Sequence, residues 1–502
     1  MNVDYHALAP EIILAITVLS VLVVDLLPVD KYWTAVVGLV GLFAAVIPVL
    51  TLGFCDSLAF CDVSGTERIM FGGSYVVDTF SLVMKGLFIG GAFVSLLLSV
   101  GYLESHRLWE GEFYFLLLAS ALGAVVMASS RDLVTIFVAL ELVTAPTFLM
   151  AGWRKGYAKG NEAALKYFII GVVSASILLF GMSLVYGTTG ELTFAGIRNA
   201  SGALADEPIF IMAVALTLLG FAFKVSAVPF HFWTPDTYEG APPPVTAYLS
   251  VVSKAAGFTG LLVLCYVAFI EVSEIWGSAL WVLAALSMTV GNLIALRQTN
   301  VIRLLGYSSI AQGGFMLVPF GAAVAGGANP EQLETAFFAT VTYLLIYAFM
   351  NLGAFGATIA VRNRVGSVEV SAWGGLNRYA PGLAGLVALF FLSLAGIPPL
   401  AGWFAKFVMF RSVISVGGAW PTALAVIAVL NAVVAFAYYS RVVKSVWFDP
   451  VPDAVPAAEL REQKVAPALQ LALAVTAIAV LVLGIFPGLI ADVGDIAQTF
   501  AL

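Results

Sequence analysis

About fourteen stretches of this chain are apolar over lengths that cross a hydrocarbon layer of roughly 30 Å. They lie near residues 9–27, 33–53, 75–101, 113–129, 132–153, 164–187, 209–231, 244–270, 277–296, 302–324, 335–361, 382–412, 419–440 and 467–491. The pattern predicts an all-α polytopic membrane protein with about fourteen transmembrane helices. Only 11% of the 502 residues are charged, against about 25% in soluble domains. No segment between the runs is long enough for a nucleotide-binding domain, which excludes a pump driven by its own ATP hydrolysis. The partner that composition demands is the lipid bilayer, and nothing points to nucleic acid. The run from Pro10 to Leu27 follows no basic stretch, so it reads as a true span and not as a cleaved signal.

Lysine and arginine in short loops set the orientation. With the N-terminus outside, fourteen of them fall on the inner side, including Lys31, Arg154, Lys159, Arg303, Arg362 and Arg441. Four fall outside: Arg68, Arg131, Arg198 and Arg411. Both termini are therefore expected on the outer side.

Five ionisable residues sit inside apolar runs: Glu141, Lys166, Lys224, Lys254 and Lys406. A charge at the bilayer centre costs a few kcal/mol on insertion scales, so five uncompensated ones would cost on the order of 10 kcal/mol. That is comparable to the whole stability of an ordinary domain. Such residues persist only if they pair, meet water or do work. A low dielectric disfavours the charged lysine, and a nearby carboxylate restores it. An acid–amine pair on neighbouring helices thus switches a proton on or off through small motions, and a row of lysines separated by water forms a relay for small cations, above all protons. The competing account is that these charges only bond helices together. It weighs most on Lys166, which is two residues into its run. Lys85 is mid-span with no carboxylate partner obvious from sequence. His231, near the inner surface, suits either a gate or a helix-end hydrogen bond.

Proline interrupts two of the runs. The seventh ends in Lys224-Val-Ser-Ala-Val-Pro229-Phe-His231, and the twelfth contains Gly396-Ile-Pro398-Pro399 ahead of Lys406. Paired broken helices, each with a lysine beside its break, suggest an inverted repeat of the transporter kind. The chain then divides into residues 1–110 (helices 1–3), 111–272 (first repeat, helices 4–8), 273–447 (second repeat, helices 9–13) and 448–502 (a cytoplasmic linker and helix 14). Cys55, Cys61 and Cys265 give no metal or haem spacing. Cys55 and Cys61 share one polar loop, which permits a disulfide if that loop faces the oxidising side.

These motifs are recognisable. Phe223-Lys224-Val-Ser-Ala-Val-Pro-Phe-His-Phe-Trp-Thr-Pro-Asp-Thr-Tyr-Glu-Gly-Ala-Pro-Pro-Pro-Val245 resembles the signature of the antiporter-like membrane subunits of respiratory complex I, the NADH:quinone oxidoreductase. Its Trp-Thr-Pro-Asp-x-Tyr-x-Gly-Ala-Pro form is similar to subunits of the N type, not the M or L type. Glu162-Ala-Ala-Leu-Lys166-Tyr, Gly291-Asn-Leu-Ile-Ala-Leu-Arg-Gln-Thr-Asn300, Arg303-Leu-Leu-Gly-Tyr-Ser-Ser-Ile310 and Leu394-Ala-Gly-Ile-Pro-Pro-Leu-Ala-Gly-Trp-Phe-Ala-Lys406 support the match, which covers nearly the whole chain.

The resemblance implies fourteen helices in two inverted five-helix repeats, with broken seventh and twelfth helices. It implies a proton relay of Glu141 paired with Lys224, Lys166 on the sixth helix, Lys254 on the central axis and Lys406 on the twelfth helix. Many relatives carry His where Gln312 stands, so a titrating relay at that point is not expected here. The chain is expected to be a translocase subunit without a redox centre of its own, with FMN, iron–sulfur clusters and quinone held by partner subunits. Its neighbours would be the K/J-side and M-side membrane-arm subunits in a prokaryotic inner membrane. The alternatives are a subunit of a related ferredoxin-dependent quinone oxidoreductase and an Mrp-type cation/proton antiporter.

Overall fold

The computed structural model describes residues 3–54, 67–106, 108, 110–325, 329–452 and 465–496. The chain enters as two spans, α1 (Ala9–Leu26) and α2 (Tyr32–Gly53). A small antiparallel hairpin of β1 (Arg68–Met70) and β2 (Tyr75–Val77) follows. Next come α3 (Thr79–His106), α4 (Gly111–Ser129), α5 (Leu133–Ala151) and α6 (Ala158–Thr189). The short α7 (Phe194–Ser201) leads to α8 (Pro208–Lys224) and α9 (Trp233–Gly240), the two halves of the seventh span. The eighth span runs through α10 (Pro243–Tyr248), a π turn at Leu249–Ser253, α11 (Lys254–Val263) and a second π turn at Leu264–Ala268. Then come α12 (Ser273–Ala295), α13 (Val301–Leu317) and α14 (Pro330–Val365). The twelfth span is α15 (Pro381–Ala395) with α16 (Ala401–Ile414), followed by α17 (Ala419–Phe448), α18 (Pro467–Ile485) and α19 (Gly488–Ile496).

Twelve of the described helical stretches are long and apolar enough to cross a membrane, and two shorter ones, α8 and α15, are the first halves of the broken spans. The expected all-α polytopic fold with broken seventh and twelfth helices is therefore the observed one. Two boundaries differ from the hydropathy. The third span starts at Thr79, because the apolar residues Tyr75–Val77 pair as a strand. The sixth helix starts at Ala158, ahead of the apolar run, because its polar first turns are helical as well.

Local chemistry fixes the helix ends. Asp132 caps α5 by accepting from the backbone of Val134 and Thr135, each at 2.9 Å, satisfying donors that a helix start leaves open. Asn300 does the same for α13, and Asn329 with Gln332 forms a reciprocal capping box on α14. The eighth span and α14 bury 94% of their most apolar stretch, against 33% for α1, α6 and α17. The first pair is thus the central axis, and the other three lie at the periphery.

Candidate functional site

Three of the expected lysines are enclosed, Lys254 on the axis and Lys224 and Lys406 on the broken helices, and each is held by one neutral oxygen. Lys224 ends α8 and is 3% exposed. Its Nζ donates to Thr144 Oγ1 on α5 at 2.7 Å. Lys254, 1% exposed, follows the π turn of the eighth span and donates to the Ser309 carbonyl on α13 at 2.7 Å. Lys406, 7% exposed, donates at 2.6 Å to the Ala395 carbonyl, the last residue of α15, and lies 5.4 Å from the centre of the Phe315 ring. A helix C-terminus carries partial negative charge on its free carbonyls, so an ammonium there is favoured. The break in the twelfth helix therefore creates the acceptor that its own lysine uses.

Both breaks have the local geometry that proline and glycine impose. After α8 the chain turns through Ser226 at φ 61° and a cis Val228–Pro229 bond. After α15 it turns through Gly396 at φ 91° and a cis Pro398–Pro399 bond. A Cβ on Gly396 would stand 2.9 Å from Lys406 Cδ, so glycine is required there by backbone and by neighbour alike. Gly257 plays the second role alone: a Cβ there would lie 2.9 Å from Lys224 Cγ.

The remaining expected residues are placed differently. Glu141 is half-buried on α5, one turn from Thr144, and no ion pair joins it to Lys224 among the described residues. Thr144, one turn along the same helix, takes the lysine's hydrogen bond and gives its own to the Leu140 carbonyl, so the hydroxyl and not the acid is the lysine's bonded partner. Lys166 is not in the apolar interior. It is 43% exposed and pairs with Glu162 at 2.6 Å and Asp236 at 2.7 Å. Arg303 joins the same network, at 3.0 Å from Asp236 and 2.8 Å from Glu239, and Lys159 meets Glu239 at 3.0 Å. Asp236 and Glu239 of α9 thus each meet two cations. His231 lies in the break of the seventh helix, 6% exposed, with Nδ1 buried and lacking a hydrogen-bond partner among the described residues.

A family profile described as NADH:quinone oxidoreductase/Mrp antiporter, TM, matches residues 130–432. NADH-quinone oxidoreductase subunit N 2 of Streptomyces griseus is 43% identical over 452 residues, which cover 87% of this chain and 81% of that protein. The chain belongs to the subunit N family. Among solved structures, a chain of respiratory complex I from Thermus thermophilus is 32% identical, with a TM-score of 0.76, covering 96% of this chain and 98% of that one. A chain of the Mrp complex from Dietzia sp. is 20% identical with a TM-score of 0.82, covering 99% of this chain and 97% of the other, a likeness of fold alone.

In this subunit N family member, sequence reasoning missed the oxygens that receive the lysines. Thr144 and Ser309 are common helix residues with no spacing to mark them, and a backbone carbonyl such as Ala395 carries no sequence signal. It also missed a polar knot between Lys254 and Lys406. Tyr343 donates to Gln312 Oε1 at 2.6 Å, while Gln312 Nε2 donates to Tyr439 and to the Leu394 carbonyl, both at 3.2 Å. Ser308 bonds Tyr439, and Tyr347 bonds Ser309 Oγ at 3.1 Å. Lys85 has a partner after all: Glu11 of α1 lies 2.7 Å from its ammonium, brought there by packing between helices some seventy residues apart in sequence. Cys55 and Cys61 lie outside the described residues, and Cys265 is a buried free thiol.

Proposed function

We propose that this chain is a proton-translocating membrane-arm subunit of an NADH:quinone oxidoreductase, and that Glu141, Lys224, Lys254 and Lys406 carry its protons. The observation that supports this most is the set of three enclosed lysines, each bound by a single neutral oxygen at a helix break or beside a π turn. A buried ion pair of fixed geometry resists change, because breaking it leaves an uncompensated charge worth about 3–5 kcal/mol. An ammonium on one neutral acceptor is less committed, so small shifts of water or of a half-helix decide whether it keeps its proton.

In this scheme protons enter from the inner side past His231, which acts as a gate at the seventh-helix break. Glu141 and Lys224 exchange charge through Thr144. Lys254 is the middle carrier, the Tyr343–Gln312–Tyr439 knot orients water beyond it, and Lys406 hands the proton outward. Lys166 anchors the inner-surface charge network and does not carry protons through the interior. Repeats over residues 111–272 and 273–447, flanked by 1–110 and 448–502, give each half one broken helix. Both termini lie on the outer side of a prokaryotic inner membrane, and the K/J-side and M-side subunits are the neighbours. FMN, iron–sulfur clusters and quinone reside in partner subunits, so redox energy reaches this chain through motion and charge. The Mrp-type antiporter reading is less well supported: the enclosed set is three lysines, which repel Na⁺, where ion transporters use carboxylates.

The test is Glu141→Ala and Lys224→Ala in the assembled native complex, reconstituted in vesicles with proton uptake and NADH oxidation read together. Each variant is expected to lower protons moved per electron. An unchanged ratio in fully assembled enzyme would overturn the scheme.

A further inference from the structure

The scheme above leaves one enclosed ion pair without a task. Lys85 is fully buried on α3, and Glu11, 8% exposed, sits in the first turn of α1. Both are near the ends of their helices that the Lys/Arg distribution assigns to the outer side. The Lys85 ammonium is 2.7 Å from Glu11 Oε1, although it is not aligned as a directed hydrogen bond. The Tyr75 hydroxyl donates to the same Oε1 at 2.7 Å, and Lys85 lies 5.5 Å from the centre of the Tyr75 ring. Glu11 Oε2 is buried and has no hydrogen-bond partner among the described residues.

We propose that Glu11 and Lys85 form a further proton-binding site, set apart from the lysine axis, which passes protons to the outer water. Three observations carry this. First, the Tyr75 hydroxyl and the Lys85 ammonium converge on one oxygen of a carboxylate that is itself buried, which places an acid and an amine within direct proton-transfer distance of each other. Second, the neighbouring charges are already committed. Asp78 accepts from Arg131 at 2.7 Å and from the Ser81 backbone at 2.7 Å, and Asp4 meets Arg68 at 3.2 Å. Glu11 is therefore the acid that faces Lys85 among the described residues. Third, α3 touches the axis: a Cβ on Gly91 would stand 2.7 Å from Val252, in the π turn just before Lys254. Gly91 is six residues beyond Lys85, about 9 Å along a helix.

The step balances. The ammonium of Lys85 gives its proton to Glu11, leaving an amine and a carboxylic acid. Glu11 then releases the proton to water and returns to a carboxylate. Lys85 takes the next proton from the inner side, and the ion pair is restored.

This inference rests on the proton-carrying function proposed above, and its test separates the two. Lys85→Arg keeps a charge that does not dissociate, because guanidinium stays protonated. The double variant Glu11→Gln with Lys85→Met removes both charges and leaves none unpaired. In vesicles holding the native complex, both are expected to lower protons moved per electron. An unchanged ratio in both, or failure of the double variant to assemble, overturns the proposal and leaves the pair a structural staple. Lys224→Ala is measured alongside. A ratio lowered there but unchanged in the two outer variants removes this site alone, whereas a ratio unchanged in Lys224→Ala removes the underlying function.

Discussion

Lys224 gives its hydrogen bond to Thr144, and Thr144 stands one helical turn from Glu141 on α5. The Thr144 hydroxyl in turn donates to the Leu140 carbonyl at 2.6 Å, which leaves its lone pairs directed at the lysine. The threonine, and not the acid, is the immediate partner of the buried amine.

Thr144→Val should therefore mimic part of what Glu141→Ala does. Valine keeps the shape but removes the acceptor, and a hydrogen bond to a charged group contributes about 1.5–3 kcal/mol. Lowered protons per electron with normal assembly is the expected outcome, read in vesicles against Thr144→Ser, which keeps the hydroxyl and should retain coupling.

Gly396→Ala should damage the twelfth-helix break more than its size suggests. A residue with a Cβ costs about 1–2 kcal/mol at a positive φ, and this Cβ also meets Lys406 at 2.9 Å. Lys406 loses its seat at the Ala395 carbonyl. The expected result is lowered proton transfer at near-normal subunit content, measured by immunoblot and vesicle acidification together.

Gln312→Leu tests the polar knot. The change leaves the Leu394 carbonyl and the Tyr343 hydroxyl without Gln312, at about 1–3 kcal/mol for each buried orphan. Thermal stability of the complex in detergent should fall. Gln312→Glu, which still accepts from Tyr343, should lose less stability than Gln312→Leu.

Asp236→Asn tests the inner-surface network, because it removes the charge that meets both Lys166 and Arg303. Half-exposed pairs contribute little, about 0–1 kcal/mol, so the fall in melting temperature of the complex should be small and should shrink further at high salt.

Much of this fold was legible in the sequence, because a bilayer imposes long apolar runs and proline marks where they break. Lys224, Lys254 and Lys406 could be placed in the interior for the same reason: no other charged residue stands within four positions of any of them. Lys166 misled because hydropathy started its helix at residue 164, whereas the helix begins at Ala158 and carries the lysine at its polar entry. The Glu11–Lys85 pair was hidden because its partners come from helices with the hairpin between them, and no periodicity links them. Tyr75 was read as part of a span because a strand residue of a buried hairpin is as apolar as a helix residue in lipid.

Lys254 opens a ten-residue α segment that has a wider turn at each end. Each such turn holds one residue more than an α turn, a surplus that slides along a helix without unpairing it for long. Moving the first of these turns past Lys254 would reorient that side chain by about 100° about the helix axis while the residues beyond it keep their places. The amine would then face a different wall of the bundle, at the expense of one rearranged turn and not of a moving helix.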